Sequence, residues 1–383
     1  MMKMFVHHNP VELHFGPKSF EKVGILAGRY GKKALLVTGK QSMRKSGILD
    51  ELERILGEAG IDSVIFDKVE PNPSYSTVEA GADTAISKKC DMVIGCGGGS
   101  AMDAAKAIAI ASLNNKEISS FFEGETPSKA MPIIEITTTA GTGSEVDRYF
   151  VLTNPETKEK NATGFKCSYP AAAIVDPMLM KTMPPRLTAA TGIDAFFHGL
   201  ESYVSRLSTP ISELYAKEAM RLIINNLYEA FRNGKNMEAR EKMALASTLA
   251  GLAIDISRTT LLHALEHPVS GHLNAVHGEG LAALSLAYME FTLPLCPEKF
   301  ANVASLFGED IDGLPEQEAA MKSIDGMKKF LRKFGMDIGL RELGVNEDMI
   351  DVFVEEAGKS PISKTNPRPA SPADMREIYL KSL

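Results

Sequence analysis

The sequence has few cysteines, no tryptophan, no long apolar run and no excess of basic charge. Its four cysteines, Cys90, Cys96, Cys167 and Cys296, are scattered with no CxxC. That spacing excludes a disulfide framework or a thiolate metal knot and fits a reducing cytoplasm. A formal charge of −7 argues against nucleic acid or an anionic membrane as the main partner. No apolar run reaches ~18 residues, so no membrane span is expected. The N-terminal MMKMFVHHNPVELHFG has no apolar core behind a basic start, so no signal peptide is expected either. The absence of tryptophan excludes nothing. What remains is a globular composition, 44% hydrophobic and 24% charged, in a 383-residue chain too long for one typical core.

Strand-like and helix-like stretches alternate through the first half. KALLVT (33–38), SVIF (63–66), DMVIG (91–95) and PIIEIT (132–137) read as buried strands. Helical periods lie between them, at 49–59, 78–89 and 101–112. Residues 5–16 alternate enough for a strand or hairpin. This βαβ spacing predicts an α/β domain over residues 1–180, with a doubly wound, mostly parallel sheet. Beyond the proline-containing PMLMKTMPP the periods are helical, which predicts an all-α domain over 181–383. One of its helices is read as Leu261–Leu265 and another as Leu281–Leu293.

Two small-residue loops follow predicted strands. GCGGGS leads into an alanine-rich helix, where glycine lets backbone N–H groups and the helix dipole face an anion such as pyrophosphate. It is neither GxGxxG nor a P-loop. TTTAGTGSE (137–145) offers hydroxyls to phosphate, ribose or carboxamide. Its alternative role is helix capping by Ser144. Ligands bind at the carboxyl ends of strands in open α/β sheets, so the two loops support each other. Asp103 and Lys106, one turn apart, read as a surface pair.

Four of the eight histidines fall within Leu261–Gly280: His263, His267, His272 and His277. His263 and His267 share a helix face at i,i+4, and so do Asp194 and His198 in TGIDAFFHGLESYVS. One carboxylate with several imidazoles suits Fe²⁺ or Zn²⁺. Each residue alone has a plainer role, as cap, ion pair or partly buried histidine. The joint pattern is what suggests a metal site. His7, His8 and His14 read as surface residues.

Taken together, GGGSAMDAAKAIA, TTTAGTGSEV, AAAIVDPML, TAATGIDAFFHGLESYVS, HALEHPVSGHLNAVHGEGLA and NPRPAS resemble the iron-containing, or group III, alcohol dehydrogenases, which have the dehydroquinate synthase-like fold. The resemblance covers essentially the whole chain. It implies Asp194, His198, His263 and His277 as metal ligands, and His267 as a catalytic histidine near nicotinamide and substrate. It implies cofactor contacts at Gly98, Gly99, Ser100, Thr138, Thr139 and Thr142, with further ones at Gly39, Asn72, Lys160 and Leu187. The cofactor is then expected on the α/β half and the metal, Fe²⁺ with Zn²⁺ as the alternative, on the helical half.

Four positions depart from the family pattern. Gly39 stands where NAD-preferring members often carry aspartate, which favours NADP and leaves NAD open. Asp147 and Arg148 follow the second loop where smaller or neutral residues are expected. They read as a surface pair, the alternative being an Arg148 that faces an acidic substrate. His272 falls where members generally have no ligand and reads as a surface residue. The resemblance implies a metal-dependent, NAD(P)-linked alcohol dehydrogenase or aldehyde reductase, cytoplasmic and homo-oligomeric, most simply a homodimer, acting on a small primary alcohol or aldehyde. Its alternatives are a glycerol, polyol or hydroxyacid dehydrogenase and a hydroxyacid–oxoacid transhydrogenase.

Overall fold

The computed structural model describes residues 4–114 and 116–383. It divides into two compact units, one of residues 8–183 and the other of Pro184–Leu383 together with the described residues 4–7. The first carries a six-stranded parallel sheet. Its strands are β1 (Glu12–Phe15), β2 (Lys33–Gly39), β3 (Asp62–Val69), β4 (Met92–Gly97), β5 (Ile133–Thr137) and β8 (Ala172–Val175). Their order is β1-β8-β5-β4-β2-β3. β4, β5 and β8 are buried along their whole length, as a parallel sheet covered on both faces requires.

Alternate residues feed two cores. Leu35, Val37, Val93 and Ile133 face one, while Ala34, Leu36, Ile94 and Ile134 face the other. Full burial of each such side chain contributes roughly 1.5–3 kcal/mol. The chain runs from β2 outward to β3, then crosses to β4 on the other side of β2. That reversal leaves a topological switch point between the carboxyl ends of β2 and β4, where open α/β sheets bind ligands.

Two features of this unit differ from the sequence reading, and a third decides between the strand and the hairpin it left open. β6 (Tyr149–Thr153) and β7 (Lys160–Gly164) form an antiparallel hairpin outside the main sheet. The 5–16 stretch yields only β1, paired in parallel with β8 rather than folded into a hairpin. Lys106 is fully buried, and the surface pair with Asp103 does not exist. Its ammonium donates to Ser144 O (2.6 Å), Ser144 Oγ (2.8 Å), Asp147 Oδ1 (3.0 Å) and Tyr149 O (2.8 Å). Asp103 instead accepts from Ser144 Oγ (2.7 Å) and Val151 N (2.9 Å). An ammonium cannot stay inside without such partners, so Lys106 ties its helix to the strand of residues that follows the second loop.

The second unit is helical. Pro185–Val204 begins with proline at its first turn and is buried over most of its length. Pro210–Arg232 starts in a capping box, with Thr209 and Ser212 exchanging hydrogen bonds. Met237–Ser257, Leu261–Leu273 and His277–Thr292 follow. The Leu261–Leu273 helix runs through Pro268 instead of ending before it. Proline there removes one backbone N–H, but residues 261–270 are all buried, and tertiary packing overrides the local penalty. Asn274, in the left-handed conformation at φ 51°, ends the helix and turns the chain back. His277 then opens the next helix, which starts four residues earlier than the sequence period suggests. Among the described residues no helix is long and apolar enough to cross a membrane.

Candidate metal centre and cofactor loops

Asp194 lies in the middle of the buried Pro185–Val204 helix, with His198 one turn further on. His263 comes from the first turn of Leu261–Leu273, and His277 is the first residue of its own helix. Gly278 sets the last approach. A Cβ on it would lie 2.0 Å from Ala190 O, so only glycine lets this helix start so close to the backbone one turn before Asp194. Arg186 clamps the same end, donating from Nε (2.5 Å) and Nη2 (2.7 Å) to the buried Glu279.

The result is a convergence on Asp194 Oδ1. His198 Nε2 lies 3.5 Å away, His277 Nε2 3.6 Å and His263 Nε2 3.7 Å. These separations exceed a hydrogen bond. Asp194 Oδ1 and His263 Nε2 are buried with no hydrogen-bond partner. Ligands about 2.1 Å from a tetrahedral cation lie roughly 3.4 Å apart, so the donors are spaced as ligands to one ion. Asp194, His263 and His277 form one mutually close set. His198 stands outside that set, although its ring stacks on His263 at 4.7 Å.

Electrostatics suit the same role. Burial would raise the Asp194 pKa, but the imidazoles of His198, His277 and His263 hold it well below its ordinary 3.8. Burial pushes His198 down to about 4 despite Asp194, so its ring is neutral and free to ligate at pH 7. For His263 burial opposes the charge, yet Glu201 and Asp194 prevail and lift its pKa from 6.5 to about 9. A raised imidazole pKa stabilises the metal-free fold fully below about 6.5, and that stability is lost as pH rises through about 9. The melting temperature of metal-stripped protein is therefore expected to fall between pH 6.5 and 9. If His263 ligates an ion through Nε2, the metal-loaded form should lack that fall.

His267 is buried, its ring centroid 5.9 Å from that of His277 and 6.3 Å from that of His263. It adjoins the donor set without joining it. His272 is not a loose surface group. Its Nε2 meets Glu356 Oε1 at 2.7 Å and its ring lies 5.4 Å from Phe353, away from the donors.

Two carboxylates escaped the sequence reading. Glu201 receives His263 Nδ1, and Glu266 receives His277 Nδ1. The signal was present in the spacing. Glu201 lies at i+7 from Asp194 and Glu266 at i+3 from His263, each on the helix face of a ligand.

In the α/β unit, Gly98 precedes the Gly99–Ala111 helix and β4 hands directly into it. Thr138 donates its backbone N–H to Gly97 O (2.9 Å), joining the second loop to the first. A Cβ on Gly98 would lie 3.2 Å from Thr139, and one on Gly99 2.5 Å from Thr142 Cγ2. The glycines thus serve loop-to-loop packing and also leave Gly98, Gly99, Ser100, Thr139 and Thr142 partly accessible. Thr138 is buried. Gly39 ends β2 across the switch point from this loop. Asn72 sits in a left-handed turn (φ 52°) after β3, and Lys160 opens β7. Leu187 belongs to the helical unit, exposed on the first turn of Pro185–Val204. Asp147 is buried against Lys106 and is not a surface residue, and the Arg148 guanidinium donates to Tyr169 Oη (2.6 Å) and Tyr149 Oη (2.9 Å).

Gly278→Ala is expected to push the His277 helix off Ala190, costing about 1–3 kcal/mol. Weaker metal retention with an unchanged far-UV spectrum is the expected readout; full retention would show that the close approach is dispensable.

Residues 10–177 match the family model described as iron-containing alcohol dehydrogenase. Residues 188–383 match that of the Fe-containing alcohol dehydrogenase family, C-terminal. The chain is 39% identical over 382 residues to a 1,3-propanediol dehydrogenase of Citrobacter freundii, covering 98% of each. It is 34% identical to an NAD-dependent methanol dehydrogenase of Bacillus methanolicus, covering 96% of this chain and 97% of the other. It also superposes on the crystal structure of an iron-containing alcohol dehydrogenase from Thermotoga maritima with TM-score 0.88 and 35% identity, over 99% of each chain.

Proposed function

The chain belongs to the iron-containing alcohol dehydrogenase family, and from that premise we propose that it moves a hydride between a primary alcohol or its aldehyde and a nicotinamide dinucleotide, with Fe²⁺ as its ion and Zn²⁺ as the alternative occupant. The observation that carries this proposal is the convergence of three imidazole Nε2 atoms on Asp194 Oδ1. Held by Asp194, His198, His263 and His277, a divalent cation supplies Lewis acidity that lowers the pKa of an alcohol. His267, buried beside His277, is the group that accepts or returns the alcohol proton at its ring nitrogen. Gly98, Gly99 and Ser100 receive the pyrophosphate at a helix N-terminus, and Thr138, Thr139 and Thr142 flank it. Asn72 and Lys160 are further proposed cofactor contacts of the α/β unit.

NADP(H) is the proposed partner in preference to NAD(H). Gly39, at the end of β2, presents no carboxylate to repel a 2′-phosphate, and the adjacent Lys40 is exposed. A side chain fits there, because the nearest atoms to a Cβ on Gly39 are 3.8 Å away. Gly39→Asp should therefore fold normally and cut kcat/KM for NADP about tenfold or more, since a like charge against the phosphate costs several kcal/mol. An unchanged NADP/NAD ratio would remove Gly39 from the account. A cytoplasmic homo-oligomer is part of the same proposal; the four free cysteines support that compartment, and light scattering tests the assembly.

The functional test begins with anaerobic purification and elemental analysis. Fe²⁺ or Zn²⁺ is then restored and short primary alcohols and aldehydes are assayed with both nicotinamide couples. Reversible, alcohol-dependent reduction of the nicotinamide is expected. Metal-replete, folded protein that turns over no member of the panel would overturn the assignment.

A further inference from the structure

His263 and His277 turn the same face toward Asp194, and something must hold them there. Each has its Nδ1 on a carboxylate: His263 on Glu201, His277 on Glu266. Both carboxylates are 0% exposed. A buried carboxylate persists only when it is paired and hydrogen-bonded, and both are. Glu201 Oε1 accepts from Thr260 N (2.8 Å), Thr260 Oγ1 (2.8 Å) and Leu262 N (3.0 Å). The Thr260 hydroxyl is itself 2.9 Å from Tyr288 Oη. Glu266 Oε1 accepts from the Ser270 hydroxyl. Gly280 leaves room for it, since a Cβ there would lie 2.7 Å from Glu266 Oε1. A neutral imidazole that donates Nδ1–H to a carboxylate carries its lone pair on Nε2, the atom that faces the donor set. His198 has no such support, as its buried Nδ1 has no hydrogen-bond partner among the described residues.

We propose that Glu201 and Glu266 are positioning residues that fix the tautomer and ring orientation of His263 and His277, and so set the protein's affinity for its ion. The two carboxylates reach the site from different places. Glu201 shares a helix with Asp194 and His198 but serves a ligand on another helix; Glu266 shares a helix with His263 but serves His277 on the next. Each of these two histidines is therefore oriented by a helix other than its own, which ties three helices together at the site. This inference rests on the metal-binding proposal above.

The test uses full-length protein stripped of metal: wild type, Glu201→Gln, Glu266→Gln and Ser270→Ala. Zn²⁺ affinity is measured against a competing chelator, the visible spectrum of the Co²⁺ form is recorded, and each metal-free variant is melted. Zn²⁺ affinity is expected to fall about 10–100-fold in each glutamine variant, less in Ser270→Ala, with a changed Co²⁺ spectrum. If Glu201→Gln fails to fold, Glu266→Gln decides, because its carboxylate sits against only the Ser270 hydroxyl and His277 among the side-chain hydrogen bonds of the site; should it fail too, Ser270→Ala decides by the same readouts. A variant that melts lower but keeps wild-type affinity and spectrum shows a purely structural role and overturns the proposal. Wild type that binds neither ion overturns the metal reading as well; wild type that binds while the variants match it overturns this proposal alone.

Discussion

Replacing His263 with alanine is expected to strip the protein of its proposed metal and to abolish alcohol oxidation. Two losses combine in that one change. The donor set around Asp194 Oδ1 loses an Nε2 at 3.7 Å, and Glu201 loses the imidazole that donates to its carboxylate. Glu201 remains fully buried, so the variant keeps a carboxylate whose cationic partner has gone. Removing one member of a buried pair typically costs about 3–5 kcal/mol. The metal-free variant should thus melt below metal-free wild type, and elemental analysis should find no bound iron or zinc. A His263→Ala protein that retains stoichiometric metal would show that the donors converge for some other reason.

The second large effect lies far away in sequence. Lys106→Met is expected to destabilise the α/β unit by about 3–5 kcal/mol, because it strands buried acids. Burial alone would lower the Lys106 pKa, but Asp147 and Asp103 beside it hold it above 10.5, so the ammonium is charged inside the protein. Its four hydrogen bonds run to residues 144–149, the end of the second small-residue loop and the segment just after it. Methionine fills the volume and removes every one. A drop in melting temperature on the order of 10 °C is expected for a unit of this size, together with a raised KM for the nicotinamide and a smaller change in kcat. An unchanged melt would mean that the network contributes nothing net.

These two residues illustrate what the sequence discloses and what it withholds. Spacing alone puts Asp194 with His198, and His263 with His267, because helix periodicity is local. The glycine loops are legible for the same reason, each lying between a strand period and a helix period. Partners set by contacts across many residues are not legible. Glu201 meets His263 from 62 residues away, and Lys106 meets Asp147 from 41. A charged residue one turn from another reads as a surface pair until the fold shows it buried. The helix through Pro268 and the early start at His277 were hidden similarly, since packing and Gly278 outweigh the local breaker signals there. The β6–β7 hairpin escaped because its strands are short and only half buried.

The central claim is that this chain oxidises alcohols only with a divalent cation on Asp194, His198, His263 and His277. Its most direct test is an anaerobic titration of metal-stripped protein with Fe²⁺, following bound iron and alcohol-dependent nicotinamide reduction in the same samples. The two should rise together and saturate at one ion per chain. Full turnover in protein verified to be metal-free, or iron that binds without restoring any turnover, would contradict the account.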